Sequence, residues 1–236
     1  MSLITVERDG AVALIRLDRD EKLNAISTAM ERELSEALTS DHVRTSRAVV
    51  ISGSGRAFSA GADISEFADR DPEAIMRYYR ETGNVYEEFA ALPQATLAAI
   101  HGYCLGGGLE LALAADFRIA DESAVLGFPE VGIGILPSSG GTVRATRFLG
   151  AAQAKRLILL GDRVSADEAL AAGLVTEVVA DAPARAIELA RRLAELPPAA
   201  VAVAKAAIDS AAGSHDAALL IERLGYAVLS QVPPPS

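Results

Sequence analysis

The chain has 236 residues, half of them hydrophobic, a formal charge of −10 and a pI near 4.8. It can bury a large core, and its acidity argues against nucleic acid or an anionic membrane as a partner. A single cysteine, Cys104, excludes an internal disulfide and any thiolate zinc cluster, and three scattered histidines (His42, His101, His215) argue against a multi-His metal site, so no metal is expected. The apolar stretches are too short to cross a bilayer, and the opening MSLITVERDG lacks a basic-then-apolar signal, which together predict a cytoplasmic protein.

In chain order, Val6 to Leu17 reads as a hairpin turning at Asp9-Gly10. STAMERELSEALTS follows as a helix capped by Ser27 or Thr28, and RAVVISG as a strand. A Gly/Ser-rich turn, SGSGRAFSAGAD, leads to a long helical stretch from about Pro72 to Ala91. The pattern then recurs: QATLAAIHGY as a strand, GGGLELALAA as a loop into a helix, DFRIADESAVLGFPE as two short strands, SSGGTVRATRFLG as a loop into a helix. Strands alternating with helices indicate an α/β core with mostly parallel pairing. From Ala151 onward the segments read as nearly all helical, with Pro197-Pro198 between two helices and VPPPS as a frayed tail.

Two glycine-bearing loops follow strand-like runs, GSGRAFSAGAD and GYCLGGGLE. Neither carries the G-x-G-x-x-G dinucleotide fingerprint, and the chain has no Walker A pattern. Glycines either allow tight turns alone or let a ligand reach main-chain N–H groups, which attract negative charge at a helix start. Donors from two such loops, aimed at one oxygen, form an oxyanion hole. Glu110 lies in the first turn of its helix, where capping or the helix dipole would suffice to explain it. Its neighbours are apolar all round, however, so its carboxylate is expected to be buried at a cost. Glu130, in LGFPEVGIG, sits in a similarly apolar run. Two carboxyls in apolar settings suit acid–base chemistry.

Five blocks carry a resemblance along nearly the whole chain: KLNAIS, RAFSAGADI, AAIHGYCLGGGLELALAADFRIA, GFPEVGIGILPSSGGTVRATR and SADEALAAGLVTEVV. In this order they resemble the enoyl-CoA hydratase/isomerase family, the crotonase superfamily. The resemblance implies an α/β fold built as a crotonase-like spiral of ββα units, with residues 1–150 as the core. Residues 151–236 would form a helical C-terminal region packed on that core and on neighbouring subunits of a homotrimer or dimer of trimers.

Carried over residue by residue, the resemblance places the oxyanion donors on the amides of Ala62 and Gly107 and the catalytic carboxyls on Glu110 and Glu130. It implies syn addition of water to a trans-2-enoyl-CoA, giving a 3-hydroxyacyl-CoA. Glu110 would activate the water and Glu130 exchange a proton at the α-carbon. The coenzyme A portion of the substrate would lie along Lys22, Leu23, Ala25, Ala60, Gly61, Asp63 and Ile64, and no separate cofactor is implied. Asp63 has an alternative role in tying down its own loop, and Lys22 one as a solvated charge. Against the resemblance, Ser138 stands where family hydratases often carry glycine, Ser65 where many relatives have lysine, and relatives commonly continue through another helical segment. Two other readings are a double-bond isomerase using chiefly Glu130, and an inactive acyl-CoA-binding member. Of the remaining residues, His101 is expected to make a hydrogen bond at its strand end and Cys104 to be a small buried side chain. Asp116 is expected to be structural, and Arg144 and Arg147 to serve subunit or surface contacts.

Overall fold

The computed structural model describes residues 2–66, 73, 76, 85–211 and 213–230. Two sheets organise it. The larger contains β1 (Ile4–Asp9), β2 (Val12–Leu17), β3 (Ala48–Gly53), β5 (Ala95–Ile100), β7 (Phe117–Asp121) and β10 (Glu177–Val179), in the order β1-β2-β3-β5-β7-β10. The smaller runs β4-β6-β8-β9, from Ala57–Ser59, Tyr103–Leu105, Val125–Gly127 and Arg163–Ser165. The Asp9-Gly10 hairpin pairs β1 with β2 antiparallel, while β2, β3, β5, β7 and β10 are parallel.

The chain feeds the two sheets alternately. β3, β5 and β7 enter the larger sheet, the strand after each enters the smaller one, and helices Gly107–Ala114 and Gly141–Leu159 complete the later two units. This is the mixed α/β, mostly parallel architecture expected. β5 is buried along its whole length, as a strand covered on both faces must be. One core, including Phe58, Phe89, Leu109 and Phe128, lies under the helices of the ββα units. The opposite face is covered by helix Ala182–Ala194, whose Ala182, Ala186, Ala190 and Ala194 meet Val50, Leu97 and Ile119. Small residues at helical spacing let that helix lie close on the sheet.

Ser27, rather than Thr28, caps helix Thr28–Thr39 by accepting from the Met30 amide. Helix Val85–Ala90 is the end of the long helical stretch expected from Pro72; apart from positions 73 and 76, the part before Val85 lies outside the described residues, as does the VPPPS tail.

Three expectations need correction. The segment SGSGRAFSAGAD is not only a turn, since Ala57–Ser59 is a strand within it. Tyr103–Leu105 is a second strand after β5 rather than part of a loop. The region from Ala151 is not nearly all helix, because β9 pairs with β8 and β10 with β7. In each case a strand of three residues is too short to show alternation, and pairing to an existing sheet edge decides it. The change of character placed at 151 falls inside helix Gly141–Leu159, which breaks at Gly150, where φ is 71°. Among the described residues no helix is long and apolar enough to cross a membrane.

Candidate active site

Three neighbouring strands of the smaller sheet, β4, β6 and β8, run parallel. The loops past their C-terminal ends therefore open on one side, the place where parallel sheets leave a crevice. The first loop carries Ala60 to Ile64, the second the glycine triplet, and the third Glu130. The amide of Gly106 donates to the Gly127 carbonyl at 2.9 Å, drawing the second and third loops together.

Each glycine of the triplet meets a different neighbour. A side chain on Gly106, at φ 50°, would come within 2.9 Å of Glu130 Oε1. One on Gly107 would lie 3.3 Å from the Ala62 amide nitrogen and 3.2 Å from the Tyr86 hydroxyl. One on Gly108 would strike the Ser59 carbonyl at 2.6 Å. The triplet is thus the seam where the three loops close on one another. The Ala62 amide nitrogen lies beside Gly107, and the Gly107 amide nitrogen beside Gly61, so the two loops that carry the expected donors are neighbours. Tyr86 is a buried member of this seam that the sequence reading missed; its place depends on packing from helix Val85–Ala90.

Glu110 is 4% and Glu130 9% exposed. Glu110 Oε1 accepts from the amides of Ser139 at 2.7 Å and Gly141 at 2.8 Å. Burial raises its pKa, against the lowering effects of those two amides and of Arg144. Glu130 has no such anchor: its Oε2 is buried without a hydrogen-bond partner among the described residues. Burial above all, with a smaller contribution from the charge of Glu110, pushes Glu130 up to about 7, although its own amide acts in the lowering direction. The two carboxyls are therefore within electrostatic reach of each other.

Arg144, expected to serve subunit or surface contacts, is largely covered within its own chain. Its side chain is 11% exposed, with Nη2 donating to Glu87 Oε1 at 2.7 Å and Nη1 to the Ser139 carbonyl at 3.2 Å. Arg147 is exposed, in keeping with a surface position.

KLNA and SAGADI lie side by side. The Ile26 amide donates to the Gly61 carbonyl and the Asp63 amide to the Ile26 carbonyl, both at 2.8 Å, and the Ala60 amide donates to the Leu23 carbonyl at 2.9 Å. Asn24, fully buried at φ 53°, donates to the Ser54 and Ala57 carbonyls and accepts from the Arg19 amide. This stitching joins Leu23 to Ala60, while Arg19 bridges the Ala25 carbonyl and Asp63; Lys22 and Ile64 are exposed. Asp63 spends its carboxylate on its own loop, taking the Ser65 hydroxyl at 2.6 Å and Arg19 Nη1 at 2.8 Å; those hydrogen bonds hold its pKa down. Ser65 thus serves as a tie within this loop.

The remaining expectations concern support. His101 Nε2 meets the Gly55 carbonyl at 3.1 Å at the end of β5. Cys104 is fully buried, which pushes its thiol pKa far up. Asp116 accepts from the Thr96 amide at 2.8 Å and pairs with Lys205 at 3.0 Å, pinning helix Pro198–Ala211 to the core.

Residues 7–223 match the family model described as enoyl-CoA hydratase/isomerase. The 2,3-dehydroadipyl-CoA hydratase of Escherichia coli is 37% identical over 211 residues, covering 88% of this chain and 82% of the relative. The short-chain-enoyl-CoA hydratase of Clostridium acetobutylicum is 35% identical over 210 residues, covering 87% and 80% respectively. Among solved structures, the enoyl-CoA hydratase of Thermoplasma volcanium matches with a TM-score of 0.92 at 36% identity, over 98% of this chain and 93% of that one.

Proposed function

This chain belongs to the enoyl-CoA hydratase/isomerase family, and on that premise we propose that it is an enoyl-CoA hydratase, adding water to a trans-2-enoyl-CoA to give a 3-hydroxyacyl-CoA. The observation that carries this reading is the pair of buried carboxyls, Glu110 held by two amides and Glu130 with one oxygen unpartnered among the described residues, on loops adjoining the one that bears Ala62.

A thioester oxygen set between the Ala62 and Gly107 amides draws electron density from the conjugated double bond. The β-carbon becomes electrophilic, and the charge that builds on the oxygen is met by donors already in place. Glu110, with Oε1 fixed, holds a water by its other oxygen and takes its proton as oxygen bonds to the β-carbon. Glu130, near neutrality in its affinity, delivers a proton to the α-carbon. One C–O and one C–H bond form, water supplies both groups, and the proton on Glu110 restores the pair, whose titration is shared. With both acids on one side of the substrate, the addition is syn.

The coenzyme A portion lies along Lys22, Leu23, Ala25, Ala60, Gly61 and Ile64, with Asp63 holding the loop. No further cofactor enters this scheme. The exposed Ile208, Leu220, Leu224, Tyr226 and Val228 of the last two helices favour burial against neighbouring copies, in a homotrimer or dimer of trimers within the cytoplasm.

The test follows the conjugated-thioester absorbance. With crotonyl-CoA the absorbance falls as water adds. A gain of absorbance from a 3-enoyl-CoA, with crotonyl-CoA unchanged, would replace hydration by isomerisation, and binding without turnover of either would leave an acyl-CoA-binding protein.

A further inference from the structure

Arg144 is a cation whose charge bears on Glu110 and which the mechanism leaves unused. Its guanidinium spans two elements distant in sequence: Nη2 reaches Glu87 on helix Val85–Ala90 at 2.7 Å, and Nη1 reaches the Ser139 carbonyl at 3.2 Å. The turn it grips is the one whose Ser139 and Gly141 amides hold Glu110 Oε1 at 2.7 and 2.8 Å. Gly140, at φ 101°, leaves the room the guanidinium occupies, since a side chain there would fall directly on Arg144 Nη1.

Resting on the hydratase reading, we propose that Arg144 is a positioning residue for water activation: braced by Glu87, it locks the 139–141 turn so that two main-chain amides fix the Glu110 carboxylate. The charge of Arg144 acts on Glu110 in the same sense as those amides, favouring the ionised form. The other charged groups bearing on this pair are Glu130, which senses Glu110, and Asp209 on helix Pro198–Ala211, which senses both Arg144 and Arg147.

Arg144→Gln removes the charge and the brace together. The expected result is a kcat lower by about 10- to 100-fold, the scale of a misplaced reacting group, with KM within about twofold. The acid limb of the kcat–pH profile moves to higher pH, because loss of a cation disfavours the carboxylate. Arg144→Lys keeps the charge without the forked brace, so its acid limb stays near the wild-type position while only part of kcat returns. Glu87→Gln lowers kcat by less, and adding it to Arg144→Gln costs nothing more, since both act along one path.

Titration of carbon-13-labelled Glu110 by NMR reads the same shift without turnover. If the wild type hydrates no enoyl-CoA, the hydratase reading fails while this titration still decides the role of Arg144. An unmoved Glu110 titration in a folded Arg144→Gln, or additive losses in the double variant, would overturn the proposal. Should Arg144→Gln not fold, the Arg144→Lys and Glu87→Gln profiles decide it, an Arg144→Lys with full kcat counting against the brace.

Discussion

The two acids of the site are both buried and differently furnished, Glu110 on a helix buried along its whole length and Glu130 at the start of a turn whose residues 131–136 are exposed. On one side Glu110 is met by two amides and the field of Arg144. On the other, Glu130 is packed against the α-carbon of Gly106, has one oxygen unpartnered among the described residues, and feels the charge of Glu110. Burial raises both carboxyls. What separates them is whether the ionised form finds donors. At neutral pH this arrangement favours a base on the first side and a proton donor on the second, two roles drawn from one residue type by environment.

The sharpest way to break that division is to remove each charge in turn. Glu110→Gln and Glu130→Gln should each cut hydration of crotonyl-CoA by about a thousandfold, the scale of a lost general acid or base. The two should differ on a 3-enoyl-CoA, where any proton shuttling by Glu130 tolerates Glu110→Gln and not Glu130→Gln. Steady-state assays on both substrates check this; equal tolerance of the two substitutions would erase the asymmetry.

A smaller effect probes packing rather than charge. Alanine at Gly106 brings a methyl to 2.9 Å from Glu130 Oε1, and alanine at Gly141 brings one to 2.8 Å from Glu110 Oε1. Among the described residues Glu130 has one oxygen without a partner and lacks the two amide bonds that tie Glu110, so Gly106→Ala should lower kcat by about tenfold, with some added strain from the positive φ. Glu110 is tied on the crowded oxygen, and Pro137 Cβ lies 2.8 Å from the same added methyl. Gly141→Ala should therefore cost more in both kcat and melting temperature. Kinetics and thermal melts of the two variants order them, and the reverse order would mean that Glu130 is the more rigid acid.

This difference between the acids also marks how far the sequence could be read. The α/β alternation, the hairpin at Asp9-Gly10, a helix cap at Ser27 or Thr28 and the placing of both glutamates in apolar runs were legible, because periodicity and turn residues act locally. The likeness to a known family added the pairing of Ala62 with Gly107. What the sequence could not show was furniture brought from far along the chain. Glu87 and Arg144 meet across 57 positions and Glu110 and Gly141 across 31. Gly106 looks like any turn glycine until Glu130 is seen to lie on its α-carbon. The three-residue strands Ala57–Ser59, Tyr103–Leu105, Arg163–Ser165 and Glu177–Val179 escaped for the related reason that a partner strand, not local pattern, makes them strands.

The smallest effect lies in stability. Glu130 titrates at about 7 in the folded chain against an ordinary 4.5, so the folded state binds its proton more tightly than the unfolded state does. Below 4.5 the group is protonated in both states and carries no ionisation cost. As pH rises from there toward 7 the folded state loses stability, and above 7 the full cost of a buried, poorly partnered carboxylate is present. Glu130→Gln removes that cost, so the inactive variant should be more stable than the wild type at pH 8 by roughly 2 kcal/mol and close to it at pH 4.5. Glu110→Gln should gain less, because its charge is already met by two amides and a cation, and the amides lose a stronger acceptor. Urea denaturation of the three proteins at both pH values measures the differences. A Glu130→Gln gain that does not change with pH would place Glu130 at an ordinary carboxyl affinity and remove the electrostatic half of the contrast, leaving only the difference in anchoring.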